Sequence, residues 1–230
     1  MWQRPTTRIF YSELFGHEPD RFLSMGRRYS CPCGLTVDVS ALNSSSLEQG
    51  RDFLAGMGRI DEGGFANVKN ELRWTEDASS LTFRILATHH HVALTEDLEP
   101  ATGYAHGFGI AVDAARIQRL AASHRVQLIM HGHKHRAFIG RADVYELPEN
   151  AVKQYKLGAL SIVGGGSAGS SDTDGNKNYV NVIDLSSGGV TLTMYRSINR
   201  QLFVAMPTWK AKFRISDDEQ LTLGDWEVVQ

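Results

Sequence analysis

The chain has 230 residues, enough for one large domain or two small ones, and we expect a single domain spanning residues 1–230. Hydrophobic residues make up 42% and charged residues 22% of the sequence, a balance that excludes an intrinsically disordered chain. The formal net charge of −2 leaves no basic excess to hold a nucleic-acid backbone, so non-specific nucleic-acid binding is not expected.

The first ten residues and the two cysteines indicate the expected compartment. Met1–Phe10 carries Arg4 and Arg8, but the apolar run of a signal peptide does not follow. The sequence has no apolar stretch of about 18 residues, so no membrane span is expected. Cys31 and Cys33 are too close in sequence for an unstrained disulfide, and we interpret them as reduced thiols. We therefore expect a soluble cytoplasmic protein.

The N-terminal part of the chain is predicted to be irregular and partly helical. This segment covers residues 1–34, with a short helix near Glu13–Met25. Residues 35–43 alternate apolar and polar side chains, which is typical of a strand with one buried face. Ser46 and Gln49 have the spacing of a capping box, which predicts a helix after this strand.

The central part of the chain, residues 35–140, is predicted to be of the α/β type. Two glycines precede a predicted helix at Phe65–Arg73, and the apolar run Leu81–Thr88 predicts a buried strand. Three consecutive histidines, 89–91, follow this strand directly. The loop over residues 95–109 has a length that proteins usually keep for function.

A second strand with histidines at its end follows one helix later. Asp113 can cap a helix that runs through His124, and the apolar run Val126–Met130 predicts the next strand. Histidines at every second position of the segment 131–135 close this strand. The order is that of a β-α-β unit, so both histidine clusters should lie at the carboxyl ends of neighbouring parallel strands, where ligand sites form.

The last part of the chain, residues 141–230, is predicted to be a β-rich C-terminal sheet. Turn signals separate several of its segments, and this predicts hairpins. The predicted strands are 158–163, 178–185, 189–196, 201–206 and 209–215.

The chain contains nine histidines, and six of them fall in the two clusters. Neutral imidazole is a borderline ligand that suits zinc, iron and manganese, so two such clusters at parallel strand ends favour metal binding. The alternative is a solvated polar loop, or histidines whose nitrogens are satisfied by hydrogen bonds. His131 fits this structural alternative better than a ligand role.

Two segments resemble a known family. "LIMHGHKHRAF" is similar to the late Gly-His-x-His motif of the calcineurin-like metallophosphoesterases, and "RILATHHHVAL" is similar to their strand followed by two histidines. The spacing and intervening helix also fit, and the resemblance covers residues 10 to 215. It implies an α/β fold, namely part of the family's two-sheet β-sandwich flanked by helices.

The resemblance also implies roles for individual residues. His89 and His133 would ligate one ion of a dinuclear pair of divalent metals, manganese, iron or zinc, and His135 the other. His90 would have a supporting catalytic role, holding the loop or facing the substrate. In the long loop, His106 is the candidate for contact with a phosphate-ester substrate. This predicts a metal-dependent phosphoesterase that hydrolyses a phosphate mono- or diester.

The early motifs of that family are absent from the sequence. No Asp-x-His pair occurs, so the resemblance implies a C-terminal half whose metal site is incomplete in this chain. A second chain could supply the missing half, or an exposed sheet edge could form a homodimer. The alternatives are a non-catalytic interaction module, half of a split enzyme, or a mononuclear metal enzyme that uses His89, His133 and His135.

Two geometric expectations follow. The imidazoles of His89, His133 and His135 should converge to within about 4–7 Å, given ligand bonds near 2.1 Å. The loop Thr95–Gly109 leaves directly from the first histidine cluster, so it should cover the metal edge and shape the substrate pocket.

Overall fold

The computed structural model describes ten stretches of the chain, and all structural statements below concern them: 22–45, 57–74, 81–93, 109–133, 135, 137–146, 155–169, 177–199, 201–216 and 220–229. The two helices of these residues are α1 (Glu62–Glu71) and α2 (Ala114–Ser123). The strands are β1 Met25–Ser30, β2 Thr36–Leu42, β3 Thr82–Thr88, β4 Leu128–His131, β5 Phe138–Glu146, β6 Tyr155–Gly164, β7 Lys177–Ser186, β8 Gly189–Ile198, β9 Val204–Ile215, β10 Leu221–Leu223 and β11 Glu227–Val229.

Six strands form a mixed sheet in the order β1-β2-β3-β4-β6-β5. The four central strands are parallel to their neighbours, whereas β1 and β5 pair antiparallel at the two ends of this order. Strand β3 is buried along nearly its whole length, as expected for a parallel strand covered on both faces. The carboxyl ends of β2, β3, β4 and β6 therefore meet at one edge of the sheet.

The second sheet is antiparallel, in the order β10-β9-β8-β7, with β11 also paired to β9. A tight turn joins β7 to β8, and Gly189 after it has a φ of 153°. A Cβ at Gly189 would lie 2.2 Å from the Ala211 carbonyl oxygen, so glycine is required for this close approach. Along β8, buried residues alternate with more exposed ones, which gives the sheet one apolar face.

The two sheets pack face to face, and both helices cover the other face of the six-stranded sheet. The core between the sheets contains buried residues from both of them: Leu35, Val37, Phe83, Ile85, Leu128, Val163, Val190, Leu192, Met194, Ala211, Leu221 and Leu223. The core beneath the helices includes Phe65 and Val68 of α1 and Ile117 and Ala121 of α2. The central strands of the six-stranded sheet are thus buried on both faces.

The predicted fold class is wrong. Strands hold 56% of the described residues and helices only 13%, so the fold is β-rich with two sheets rather than α/β. The expectation of a sandwich flanked by helices is also wrong, because both described helices pack on the same sheet. The physical reason is that most of the buried hydrophobic residues lie on strands, whereas each of the two helices has only ten residues.

Several predicted elements are present, with shifted boundaries. The strand predicted at 35–43 is β2, and the helix predicted at Phe65–Arg73 begins earlier because the Asp61 carboxylate caps it by accepting from the Gly63 N–H at 2.8 Å. The helix predicted after Asp113 is α2, but the Asp113 carboxylate instead accepts from the backbone N–H of Ile60 at 3.3–3.4 Å.

Other boundary predictions differ more. The end of the helix predicted at Glu13–Met25 is wrong, because Met25 begins strand β1; residues 13–21 lie outside the described residues. Segments 201–206 and 209–215 contribute to a single strand, Val204–Ile215. Strand β5 runs across residue 140 and belongs to the six-stranded sheet. Ser46 and Gln49 also lie outside the described residues. None of the described helices is long and apolar enough to cross a membrane.

Candidate metal centre

Polar residues gather where the parallel strands of the six-stranded sheet end. Strand β2 leads to Ser44, β3 to the histidines at 89–91, and β4 to those at 131–135. Because β2 pairs with β3 and β3 with β4, these three ends are adjacent. The backbone N–H of Gly132 donates to the His89 carbonyl at 3.0 Å, which ties the two histidine segments together.

His89, His90 and His133 form one compact group. Each ring offers one nitrogen, and these nitrogens all lie within 4.8 Å of one another. The ring centroids are 4.9 Å apart for His89 and His90, 4.9 Å for His89 and His133, and 4.7 Å for His90 and His133. These three histidines could hold a metal ion.

The closest nitrogens of the group fit metal coordination. Nδ1 of His133 lies 3.0 Å from Nε2 of His89, so in the metal-free protein one ring donates an N–H to the other. Two nitrogens bound at about 2.1 Å to one ion are about 3.0 Å apart at a right angle and about 3.4 Å apart in a tetrahedron. The observed spacing therefore matches two ligands on adjacent positions of one ion, and three imidazoles are a donor set that suits zinc or iron.

Ser44 and Gly58 fix the ring of His90, which is fully buried. The Ser44 hydroxyl oxygen accepts from the His90 backbone N–H at 3.0 Å and lies 2.9 Å from its Nδ1. If Nδ1 carries the ring proton and donates to this oxygen, Nε2 keeps the lone pair that a metal needs. A Cβ at Gly58 would lie 2.3 Å from Cγ of His90, so only glycine leaves room for the ring.

The loop after β4 holds a strained backbone. His133 has a φ of 70° and His135 a φ of 55°, both in the left-handed region. This region costs a non-glycine residue about 1 kcal/mol or more and is found preferentially at functional sites. The turn directs the His133 ring back toward His89 and His90.

Burial keeps two of the rings neutral. Burial is the largest cause that lowers the pKa of His90 from 6.5 to about 3, followed by the charges of the neighbouring histidines. Burial also lowers the pKa of His133 to about 4, with smaller contributions from His89 and His135. At neutral pH both rings are therefore uncharged, with one unprotonated nitrogen each, the form that a metal ion binds.

A second pair of histidines lies beside the group. His91 and His131 are buried, and their ring centroids are 5.8 Å apart. The backbone of His91 is fixed from both sides, because its N–H donates to the Gly109 carbonyl at 3.3 Å and its carbonyl accepts from the Ala111 N–H at 2.9 Å. This pair lies beside His133, whose ring centroid is 6.5 Å from that of His91.

The predicted site residues are placed as follows. His89 and His133 come together as expected, and His90 completes the group in place of His135. His135 is close enough to affect the pKa of His133, but it is not a member of the group, and its ligand role stays a prediction. His106 and the loop from Thr95 lie outside the described residues, which begin again at Gly109.

Sequence reasoning missed Ser44 and Gly58 as residues that position His90. The signal available for Ser44 was a run of polar residues at the end of a third predicted strand. This signal points to Ser44 only when β2 is known to be the neighbour of β3 in the sheet. No comparable signal marked Gly58, because its contact with His90 joins residues 32 positions apart.

Comparison with known proteins does not assign the chain to a family. No protein-family model matches its sequence, and no curated protein matches it.

Proposed function

We propose that this chain is a metal-dependent phosphoesterase whose ion is held by His89, His90 and His133. The observation that carries the proposal is the convergence of these three ring nitrogens within 4.8 Å. They lie at the carboxyl edge of parallel strands, where ligand sites of such sheets concentrate. Phosphate esters are proposed as the substrates because the two histidine segments resemble those of calcineurin-like metallophosphoesterases.

Within the part of the chain that the structure describes, the group has three ligands, which suits a catalytic site better than a purely structural one. Structural zinc sites use four protein ligands, whereas catalytic sites use three and keep a position open. His90 is buried and His133 half-buried, but His89 is exposed, so the group opens to solvent on the His89 side. When bound, a divalent ion would polarise a phosphoryl oxygen and acidify a water molecule.

The chain's own residues would fix the ligands and accept the substrate. Ser44 would orient His90, and the left-handed turn would orient His133. His135, half-buried beside His133, would either bind a second divalent ion, as the resemblance implies, or contact a phosphoryl oxygen. Manganese, iron or zinc would suit these imidazoles.

Hydrolysis of an aryl phosphodiester by the metal-loaded protein tests this proposal. We expect turnover that depends on added manganese or zinc and is lost in His133→Ala. The rate should be low, because the group contains no carboxylate of the described residues that could bridge two ions. His124→Gln, which changes a histidine at the end of α2, is the matched control and should keep the activity. Metal binding without metal-dependent turnover would contradict the enzymatic part of the proposal and favour a non-catalytic module.

A further inference from the structure

A cavity of about 390 Å³ lies where the parallel strands of the six-stranded sheet begin, and its lining runs from Ala122 of α2 to the second sheet. Val126 and Gln127, just before β4, line it, and so do residues 156–159 at the start of β6. The histidines follow the opposite ends of the parallel strands. The second sheet closes the cavity with the edge strand β10, Leu221–Leu223. The cavity is therefore a separate place in the fold, at the amino ends of the strands whose carboxyl ends carry the candidate metal centre.

Four cationic side chains from four different elements line this cavity. Arg125 follows α2, Arg141 lies on β5, Lys156 on β6 and Arg214 on β9. Among the described residues of the lining, Asp225 carries the one carboxylate. Asp225 and Asp143 offset two of these four charges, so the described residues leave an excess of two positive charges at the cavity. This excess of positive charge contrasts with the overall net charge of −2.

Two of these cations have no ion-pair partner among the described residues. Arg141 forms an ion pair with Asp225, and Lys156 Nζ lies 2.8 Å from Oδ1 of Asp143. Arg125 and Arg214 form no ion pair with any residue that the structure describes. A guanidinium presents a planar set of donors that matches the oxygens of a phosphate group.

The cavity also has an apolar wall. Val126, Leu221 and Leu223 line it and are 3%, 6% and 5% exposed. Small-molecule sites typically combine such walls with a few convergent polar groups, in volumes of about 300–1,000 Å³. From the charges, the wall and the size together, we propose that this cavity binds a phosphorylated small molecule of nucleotide size. Arg125 and Arg214 would hold the phosphate, and the wall would contact the uncharged body of the ligand.

Calorimetric titration with ADP in the presence of EDTA tests the proposal without involving the metal centre. We expect saturable binding of ADP, weaker binding of pyrophosphate, and no binding of adenosine. Raising the salt concentration should weaken ADP binding, because exposed charges are screened. If adenosine bound as tightly as ADP, the cations would not contribute to binding, and the proposal would be contradicted. Acidic residues 217–219 follow the lining residue Ser216 in sequence; if they satisfied the cations, ADP would not bind, and the proposal would fail.

Variants of the two arginines locate the binding. Arg125→Gln and Arg214→Gln should each weaken ADP binding about tenfold or more, because each removes charged hydrogen bonds to phosphate. Both side chains are exposed, so folding should not be affected. Arg27→Gln on β1, at the other end of the six-stranded sheet, is the matched control. His133→Ala should leave ADP binding unchanged. Loss of ADP binding in His133→Ala but not in the arginine variants would place the ligand at the histidines and overturn the proposal.

Discussion

The two sheets of this protein share an apolar core but differ in what their strand ends can do. In the six-stranded sheet, four parallel strands end at one edge, and the residues after them are brought together. In the antiparallel sheet, neighbouring strands end at opposite edges, so residues after successive strands are kept apart. Substitutions at the parallel edge should therefore affect metal binding, and substitutions of buried residues in the antiparallel sheet should affect stability.

The largest expected effect is at the parallel edge. His133→Ala removes one of three ring nitrogens from the candidate metal centre. We expect zinc affinity to fall more than about 100-fold, since even the loss of groups that only support metal ligands costs 10–100-fold. Calorimetric titration measures this, with His124→Gln as the control that should bind zinc normally. Equal zinc affinity in wild type and His133→Ala would remove His133 from the site.

In the antiparallel sheet, substitution of a buried residue should lower stability and leave zinc affinity unchanged. Leu192 is fully buried on β8, and Leu192→Ala should lower the free energy of unfolding by about 2–5 kcal/mol. Zinc affinity of the folded protein should not change, because Leu192 lies in the core between the sheets. Val182→Ala changes a residue 40% exposed on β7 and should shift stability by no more than about 0.5 kcal/mol. Urea denaturation gives both values. A loss of zinc affinity in Leu192→Ala would show that the two regions are coupled.

A smaller effect should distinguish a role of Ser44 in positioning the His90 ring from a role in stability alone. Ser44→Ala removes the oxygen that contacts Nδ1 of His90, and zinc affinity should fall about tenfold. Ser40→Ala is the matched control, because Ser40 is also buried and its hydroxyl donates to the Ile85 carbonyl on β3 at 2.8 Å. Both variants should lose a similar amount of stability, about 1 kcal/mol, but only the first should lose zinc affinity. Equal zinc binding by both variants would exclude a positioning role for Ser44.

The pH dependence of stability in the metal-free protein is a further expected effect at the parallel edge. The pKa values of His90 and His133 are about 3 and 4 in the folded state, against 6.5 in the unfolded chain. Below pH 6.5 the unfolded chain therefore binds protons that the folded state does not, so stability present above pH 6.5 is lost as the pH falls toward 4. His133→Asn removes one of these groups, and its unfolding free energy should depend less on pH. Identical pH profiles for the two proteins would contradict this explanation.

The sequence predicted the parallel edge better than the fold class. An apolar run ending in histidines, a capped amphipathic helix and a second apolar run were enough to predict that β3 and β4 are parallel neighbours. The adjacency of His89 and His133 then follows from geometry. The place of His90 in the group did not follow, because it depends on Ser44 and Gly58, which are distant in sequence.

The α/β prediction was wrong because strands at the ends of a sheet carry weak sequence signals. Strands β1 and β5 lie at the two ends of the described six-stranded sheet, and both contain exposed charged residues such as Arg27, Arg141 and Asp143. Such charges protect sheet edges from aggregation. They also obscure the alternation of apolar and polar side chains by which a strand is recognised in a sequence. Neither strand was therefore predicted, and the expected share of helix was too high.

We propose that His89, His90 and His133 hold one ion. Anomalous diffraction at the zinc absorption edge, from crystals of the zinc-loaded protein, tests it most directly. The predicted result is a peak about 2.1 Å from one ring nitrogen of each of the three histidines. A peak held by His91 and His131 instead, or a zinc-loaded structure in which the His90 ring is not a ligand, would contradict the account.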